Sequence, residues 1–160
     1  LGGGFPISMI CGKLKIMSLL EKNKVYHGGD MNSNIMSLSA ANAALSYLIS
    51  HQKNIYTQLY QIGNQLINGI KEYASKYNIP VLIHGNGPMF KLSFLDDLEE
   101  SKKINSIYQE FYSLMIQNGI RIEYGEHSGS IWFISTEHNV EDIKITLNTI
   151  DKVFKKISEN

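Results

Sequence analysis

Cysteine is almost missing from this sequence: Cys11 stands alone. It cannot close an internal disulfide, and cysteine-rich metal sites are excluded. A reducing compartment fits that usage. Arginine is as scarce, with Arg121 the single example. Arginine is the preferred donor to a phosphate backbone, so its scarcity argues against nucleic-acid binding. Neither charge sign dominates, because 15 Lys and Arg balance 15 Asp and Glu. That balance removes the electrostatic case for nucleic acid or an anionic membrane. No apolar run approaches the ~20 residues of a membrane span. No charged-then-apolar signal segment stands at the front. The first residue is not Met, so the start of a longer chain is expected to be missing.

What is present is ordinary globular material. A chain of 160 residues, 43% of them hydrophobic, suits one domain with a proper core or a piece of a larger one. Disordered segments are more polar and more highly charged. Helical spacing predicts a short helix over 14–20. Asn32 and Asn34 are good caps for a helix carrying Ile35, Leu38, Ala41, Leu45, Leu48 and Ile49. A second helix is expected from about Ile55, with the stripe Ile55, Leu59, Ile62, Leu66, Ile70, Tyr73 and Tyr77 turned to a core. Asn78-Ile79-Pro80 stops it.

Beyond Pro80 the period changes. Strands are predicted over 81–84 and 89–95 around the turn "GNGP", since Phe90, Leu92 and Phe94 alternate with Lys91 and Ser93. A helix over 98–117 follows, with Ile104, Ile107, Phe111, Leu114 and Met115 inward and Asn118-Gly119 as its stop. Strands over 120–124 and 131–135, joined by "GEHSGS", precede a last helix over 141–157. Asn139 and Asp142 have capping-box spacing before it. From residue 81 on, this order suits a small α+β layer, an antiparallel sheet with helices on one face. Residues 1–52 complete no sheet of their own and read as the end of another domain. Residues 53–79 read as a bridging helix, and 80–160 as the small domain.

Few side chains form a chemical constellation. His27, His51, His84, His127 and His138 lack ligand spacing, so no metal site is expected. Asp96, Asp97, Glu99 and Glu100 suit a helix entry, where carboxylates favour the dipole. Ser8 lacks a nucleophile-elbow glycine pattern. Arg121 and Glu123 share one face of the predicted strand. They suit a surface ion pair, worth under about 1 kcal/mol, or Arg121 suits a clamp on a substrate carboxylate.

Two glycine-bearing stretches remain. In "LGGGFPISMICGK", Gly2, Gly3 and Gly4 permit positive φ and close backbone approach. The apolar residues after them are not those of a linker, so something is expected to pack over that backbone. The run lacks the lysine and the spacing of a P-loop. In "YHGGDMNSN", a glycine turn leads to a helix start whose backbone N–H groups can hold an anion. An ordinary turn and cap would read the same way.

Taken as an ordered set, "LGGGFPISMICGKLKIMSLL", "VYHGGDMNSNIMSLSAANAAL" and the closing "GIRIEY…IWFISTEHNVEDIKITLNTIDKVF" resemble the class III pyridoxal-phosphate aminotransferases. Within them they are most similar to the glutamate-1-semialdehyde aminomutases and to aminotransferases of natural-product assembly. The resemblance implies an α/β chain, the C-terminal part of a fold-type I pyridoxal-phosphate transferase. It implies a cytoplasmic homodimer acting on small amino donors and acceptors. It places the lysine that binds the cofactor as a Schiff base two residues before Leu1, so this chain carries no catalytic residue and is expected to be inactive alone. It makes Gly29, Asn32 and Ser33 the cofactor-binding positions, with Asp30 among them as a departure; the substrate-binding role of Arg121 stays the carboxylate-clamp reading given above. Asp30 stands where the family has Thr. Two unit charges about 4 Å apart repel by ~4 kcal/mol at an effective dielectric near 20. Asp30 therefore turns from the phosphate, is protonated, or marks a scaffold protein of the same fold that has lost the chemistry.

Overall fold

The computed structural model describes residues 1–30, 32–94, 101–124 and 129–159, with 101–106 as helix backbone only. The acidic stretch Asp96, Asp97, Glu99 and Glu100, the turn residues 125–128 with His127, and the side chain of Ile104 lie outside the described residues. The chain divides into two compact units, Leu1–Gln52 and Lys53–Asn160.

In the first unit, glycines shape the opening turn. Phe5 N–H donates to the Gly2 carbonyl at 3.0 Å. Gly3 and Gly4 turn the chain at φ 56° and 102°, values that L side chains rarely adopt. Gly2 is buried, and a Cβ there would meet Ile7 Cγ2 at 2.7 Å. The run thus needs glycine for turn geometry at two positions and for space at the third. Helix α1 (Leu14–Glu21) follows and buries none of its residues.

Helix α2 (Ile35–Lys76) begins in this unit and runs unbroken into the next. Two helices were expected here, and the structure corrects that. No glycine or proline stands between Ile35 and Ile62, so nothing breaks the backbone. The polar residues at the supposed junction fold back onto the helix. Ser50 Oγ donates to the Ser46 carbonyl at 2.8 Å, and His51 Nδ1 lies 3.0 Å from that of Tyr47. The end of α2 is a left-handed stop. Asn78 has φ 53°, and Ile79 N–H reaches the Ala74 carbonyl at 2.9 Å, six residues closed around one reversed residue.

The second unit holds the core. Strands β1 (Val81–Asn86), β2 (Met89–Phe94) and β3 (Gly129–Phe133) form an antiparallel sheet in the order β1-β2-β3. Phe90, Leu92 and Phe94 point from β2 into the helices and are almost fully buried. They meet Ile62, Leu66 and Ile70 of α2, Phe111 and Met115 of α3 (Ser101–Gln117), and Ile150, Val153 and Phe154 of α4 (Val140–Ser158) in one cluster. Met89, Ile131 and Phe133 on the other sheet face are exposed. The alternation expected for a half-buried strand is thus realised. Gly63 lets the β1–β2 turn seat on α2, because a Cβ there would overlap the Gly87 carbonyl. Gly87 N–H donates to Asn64 Oδ1 at 3.0 Å.

Residues 120–124 do not form the expected strand. Among the described residues no backbone bond joins them to β3. Side chains hold them instead. Tyr108 Oη donates to the Glu123 carbonyl at 3.1 Å, and Tyr124 packs on Tyr108 and Tyr112 with ring centroids 5.7 and 4.9 Å apart. The strand expected over 131–135 instead starts at Gly129 and ends at Phe133, because Ser135 N–H turns to His138 Nδ1 at 3.0 Å. The capping box on α4 is complete. Asn139 Oδ1 accepts from Glu141 and Asp142 N–H, and Asp142 Oδ2 accepts from Asn139 N–H.

Candidate functional site

The site is best built from the start of α2. Asn34 caps it: its Oδ1 accepts Ser37 N–H at 3.0 Å and its carbonyl accepts Leu38 N–H at 2.9 Å. The capping side chain takes one of the orphan N–H groups of the first turn and leaves others facing outward. The dipole adds a partial positive charge there. Just before the cap, Ser33 adopts φ 62°, and Asn32 N–H closes a turn on the Gly29 carbonyl at 3.1 Å.

A cavity of about 620 Å³ opens beside this helix start. Ser8 and its neighbours Pro6 and Ile7 come from the segment after the glycine turn, and His27, Asn32, Ser33, Asn34, Ser37 and Leu38 complete the lining. The polar members are hydroxyls, amides and an imidazole; among the described residues no carboxylate lines it. Ser37 is 3% exposed, and its hydroxyl is buried with no hydrogen-bond partner. An unpaired buried hydroxyl costs ~1–3 kcal/mol, so this one is poised for a ligand acceptor. Hydroxyl donors, outward N–H groups and the absence of acid suit a small anion.

The structure brings Asn32 and Ser33 to the cavity wall. Gly29 shapes the turn behind them, where a Cβ would approach Asn32 Oδ1 to 3.3 Å. Asp30 is exposed and outside the lining. Ser37, Ser8 and His27 were not singled out for this site from the sequence. Ser37 had a legible signal: it stands three residues after a capping Asn, where a small side chain faces the helix start. Arg121 lies in the second unit, exposed, on the segment that follows α3. Among the described residues it makes no ion pair with Glu123. No group of three His, Cys, Asp or Glu able to hold a metal occurs among the described residues. No helix among them is long and apolar enough to cross a membrane.

Residues 1–154 match the family model described as aminotransferase class-III. The chain is similar to glutamate-1-semialdehyde 2,1-aminomutase of Fusobacterium nucleatum, at 34% identity over 166 aligned positions covering 99% of this chain and 38% of that protein. Among solved structures it is similar to an omega-transaminase from Sphaerobacter thermophilus (TM-score 0.78, 19% identity), over 98% of this chain and 36% of the other. It is also similar to a transaminase solved with PLP bound (TM-score 0.75, 20% identity), over 92% and 34%. The chain therefore spans less than two-fifths of the length of these relatives. Its α/β fold is the one those transaminases carry over that portion.

Proposed function

The chain belongs to the class III aminotransferases, and from that membership we propose that it is the C-terminal part of an enzyme that moves an amino group using pyridoxal phosphate. The family match and the neighbour solved with PLP support the cofactor. On this reading 1–52 end the large cofactor-binding domain, 53–79 bridge, and 80–160 form the small domain. The observation that carries it is the acid-free cavity at the start of α2 with the unpartnered Ser37 hydroxyl.

The residues present fit one end of that cofactor. Its phosphate is a small dianion, and Asn32, Ser33 and Ser37 offer it neutral donors at a helix N-terminus. Gly29 keeps the turn open beside Asn32. Asp30, exposed and outside the lining, leaves those donors unopposed. When bound, the cofactor supplies the electron sink for amino-group chemistry. This chain's part is to grip and orient the phosphate end. The lysine for the covalent link is assigned to residues outside the chain. Apolar exposure in this unit, with Ile35 at 78% and Ile49 at 72%, favours a second copy of the enzyme as its cover.

The similarity to an aminomutase at 34% identity favours a small amino acid or amino aldehyde as substrate. The test is amino-group transfer by the full-length protein, with glutamate semialdehyde against a panel of amino acids. We expect cofactor absorbance near the visible edge, turnover by the full-length protein, and none by the 160-residue chain alone. Ser37→Ala lowers cofactor affinity about 10-fold, as loss of one hydrogen bond to a charged group does. Absence of cofactor binding in the full-length protein overturns the proposal in favour of a scaffold, and turnover by the short chain overturns the division of labour.

A further inference from the structure

Three asparagines of the second unit stand directly before a glycine: Asn68-Gly69, Asn86-Gly87 and Asn118-Gly119. Such a pair is chemically labile in water, because no Cβ shields the glycine nitrogen from the asparagine side chain. The fold treats the three differently. Gly69 lies inside α2, where the helix ladder holds its N–H. Leu147 of α4 covers it so closely that a Cβ there would overlap that side chain, and Ile67 and Ile70 beside the pair are buried. Gly87 is buried in the β1–β2 turn against Tyr60. Its N–H, the group that would have to attack, donates to Asn64 Oδ1 at 3.0 Å. Gly119 has neither protection. It is exposed, sits at φ 81° just past the end of α3, and has open space where a Cβ would stand. Asn118 is exposed too. Asn118 Nδ2–H donates to the Leu114 carbonyl at 2.8 Å, and Gly119 N–H to that of Ile116 at 3.0 Å. Both bonds belong to the last turn of a helix, where local opening costs least.

We propose that Asn118 is a site of spontaneous deamidation in the folded protein, and that Asn68 and Asn86 are not. When the last turn of α3 opens, the Gly119 amide nitrogen gives its proton to solvent and bonds to Asn118 Cγ. The Cγ–Nδ2 bond breaks, and ammonia leaves with a proton taken from water, which closes a succinimide ring. Water then opens the ring. Addition at Cγ gives aspartate. Addition at the main-chain carbonyl of residue 118 gives isoaspartate, whose backbone runs through the side chain and is longer by a methylene. The sum is exchange of ammonia for water, with no oxidant or reductant. Either product loses the bond from Nδ2–H to Leu114 and puts a carboxylate at a helix C-terminus, where the dipole disfavours it. The modification therefore loosens the stop from which residues 119–124 depart. This inference concerns the unit Lys53–Asn160 and does not rest on the cofactor reading.

The full-length protein is held at mildly alkaline pH and digested at low pH, and the peptides carrying Asn68, Asn86 and Asn118 are followed by mass, which registers each exchange of NH for O. We expect conversion at Asn118 at least about 10-fold faster than at the other two, a ratio set by the cheaper opening of a helix end than of a packed interior. In denaturing urea the three rates approach one another, which assigns the native difference to the fold. Asn64→Ala frees the Gly87 N–H and speeds conversion at Asn86 without changing that at Asn118. Asn118→Asp lowers the thermal midpoint by about 2 °C or more, through the lost hydrogen bond and the opposed dipole. Conversion at Asn118 no faster than at Asn68, or a gap of the same size in urea, overturns the proposal. An unchanged rate at Asn86 in Asn64→Ala overturns the protective role of Asn64, and an unchanged midpoint in Asn118→Asp overturns the consequence for α3.

Discussion

Replacing Phe154 by alanine tests where the stability of the chain resides. Phe154 is 0% exposed. Its ring lies 6.2 Å from that of Phe94 in an edge-on arrangement and 5.6 Å from that of Phe111. It therefore joins α4 to β2 and α3 through one residue. Burial of Phe in a packed core, together with the cavity left on truncation, corresponds to a loss of ~3–5 kcal/mol. The ring–ring terms are part of that figure and are not added to it. Domains of this size carry only about 5–15 kcal/mol in total, so the change removes a third or more of a typical value. At about 2–4 °C per kcal/mol for a chain of this length, the thermal midpoint falls by roughly 6 °C or more. The assay is thermal unfolding followed by far-ultraviolet circular dichroism and by Trp132 emission, which reports the same core. Lys71→Ala is the control: Lys71 is an exposed polar residue of α2, and its effect stays within about 0.5 kcal/mol. A loss below about 1 kcal/mol for Phe154→Ala, or equal losses for both variants, refutes the assignment of the core to the second unit.

Two further outcomes follow from local geometry. Asn139→Ala removes the acceptor for two N–H groups of α4 and lowers stability by about 1 kcal/mol, read as a shift of the urea midpoint at constant slope. The Lys76 ammonium, 2.8 Å from Asp151, holds that carboxyl below its ordinary range, with the Tyr77 hydroxyl at 2.9 Å assisting. A depressed carboxyl stabilises the fold above the unfolded value of ~3.9 and loses that effect as pH falls through its folded pKa. Asp151→Asn should therefore differ from the native chain at neutral pH and converge with it in strong acid. The same bond to Asp151 raises the Lys76 pKa, so its contribution is complete below ~10.4 and fades as pH rises through the folded value. Thermal midpoints measured across pH check both limbs.

Sequence alone determined the elements whose causes are local. The stripe from Ile55 to Tyr77, the alternation of Phe90, Leu92 and Phe94, and the Asn139 capping box each depend on a few neighbouring residues. All are found where the spacing put them. The ordered glycine stretches also carried the family, because a glycine held by turn geometry leaves a mark in the chain itself. Tertiary structure decided what depends on distant partners. A stripe ending at Ile49 and another starting at Ile55 looked like two helices, yet with no glycine or proline between them α2 continues unbroken. Residues 120–124 had strand composition but found tyrosine rings instead of a neighbouring strand. The cavity beside Asn32 needed Ser8 and Ser37, far apart in sequence, to be folded against one helix start. Among the described residues Arg121 and Glu123 make no ion pair with each other, an outcome their spacing left open, because whether two neighbouring side chains meet depends on the backbone path between them.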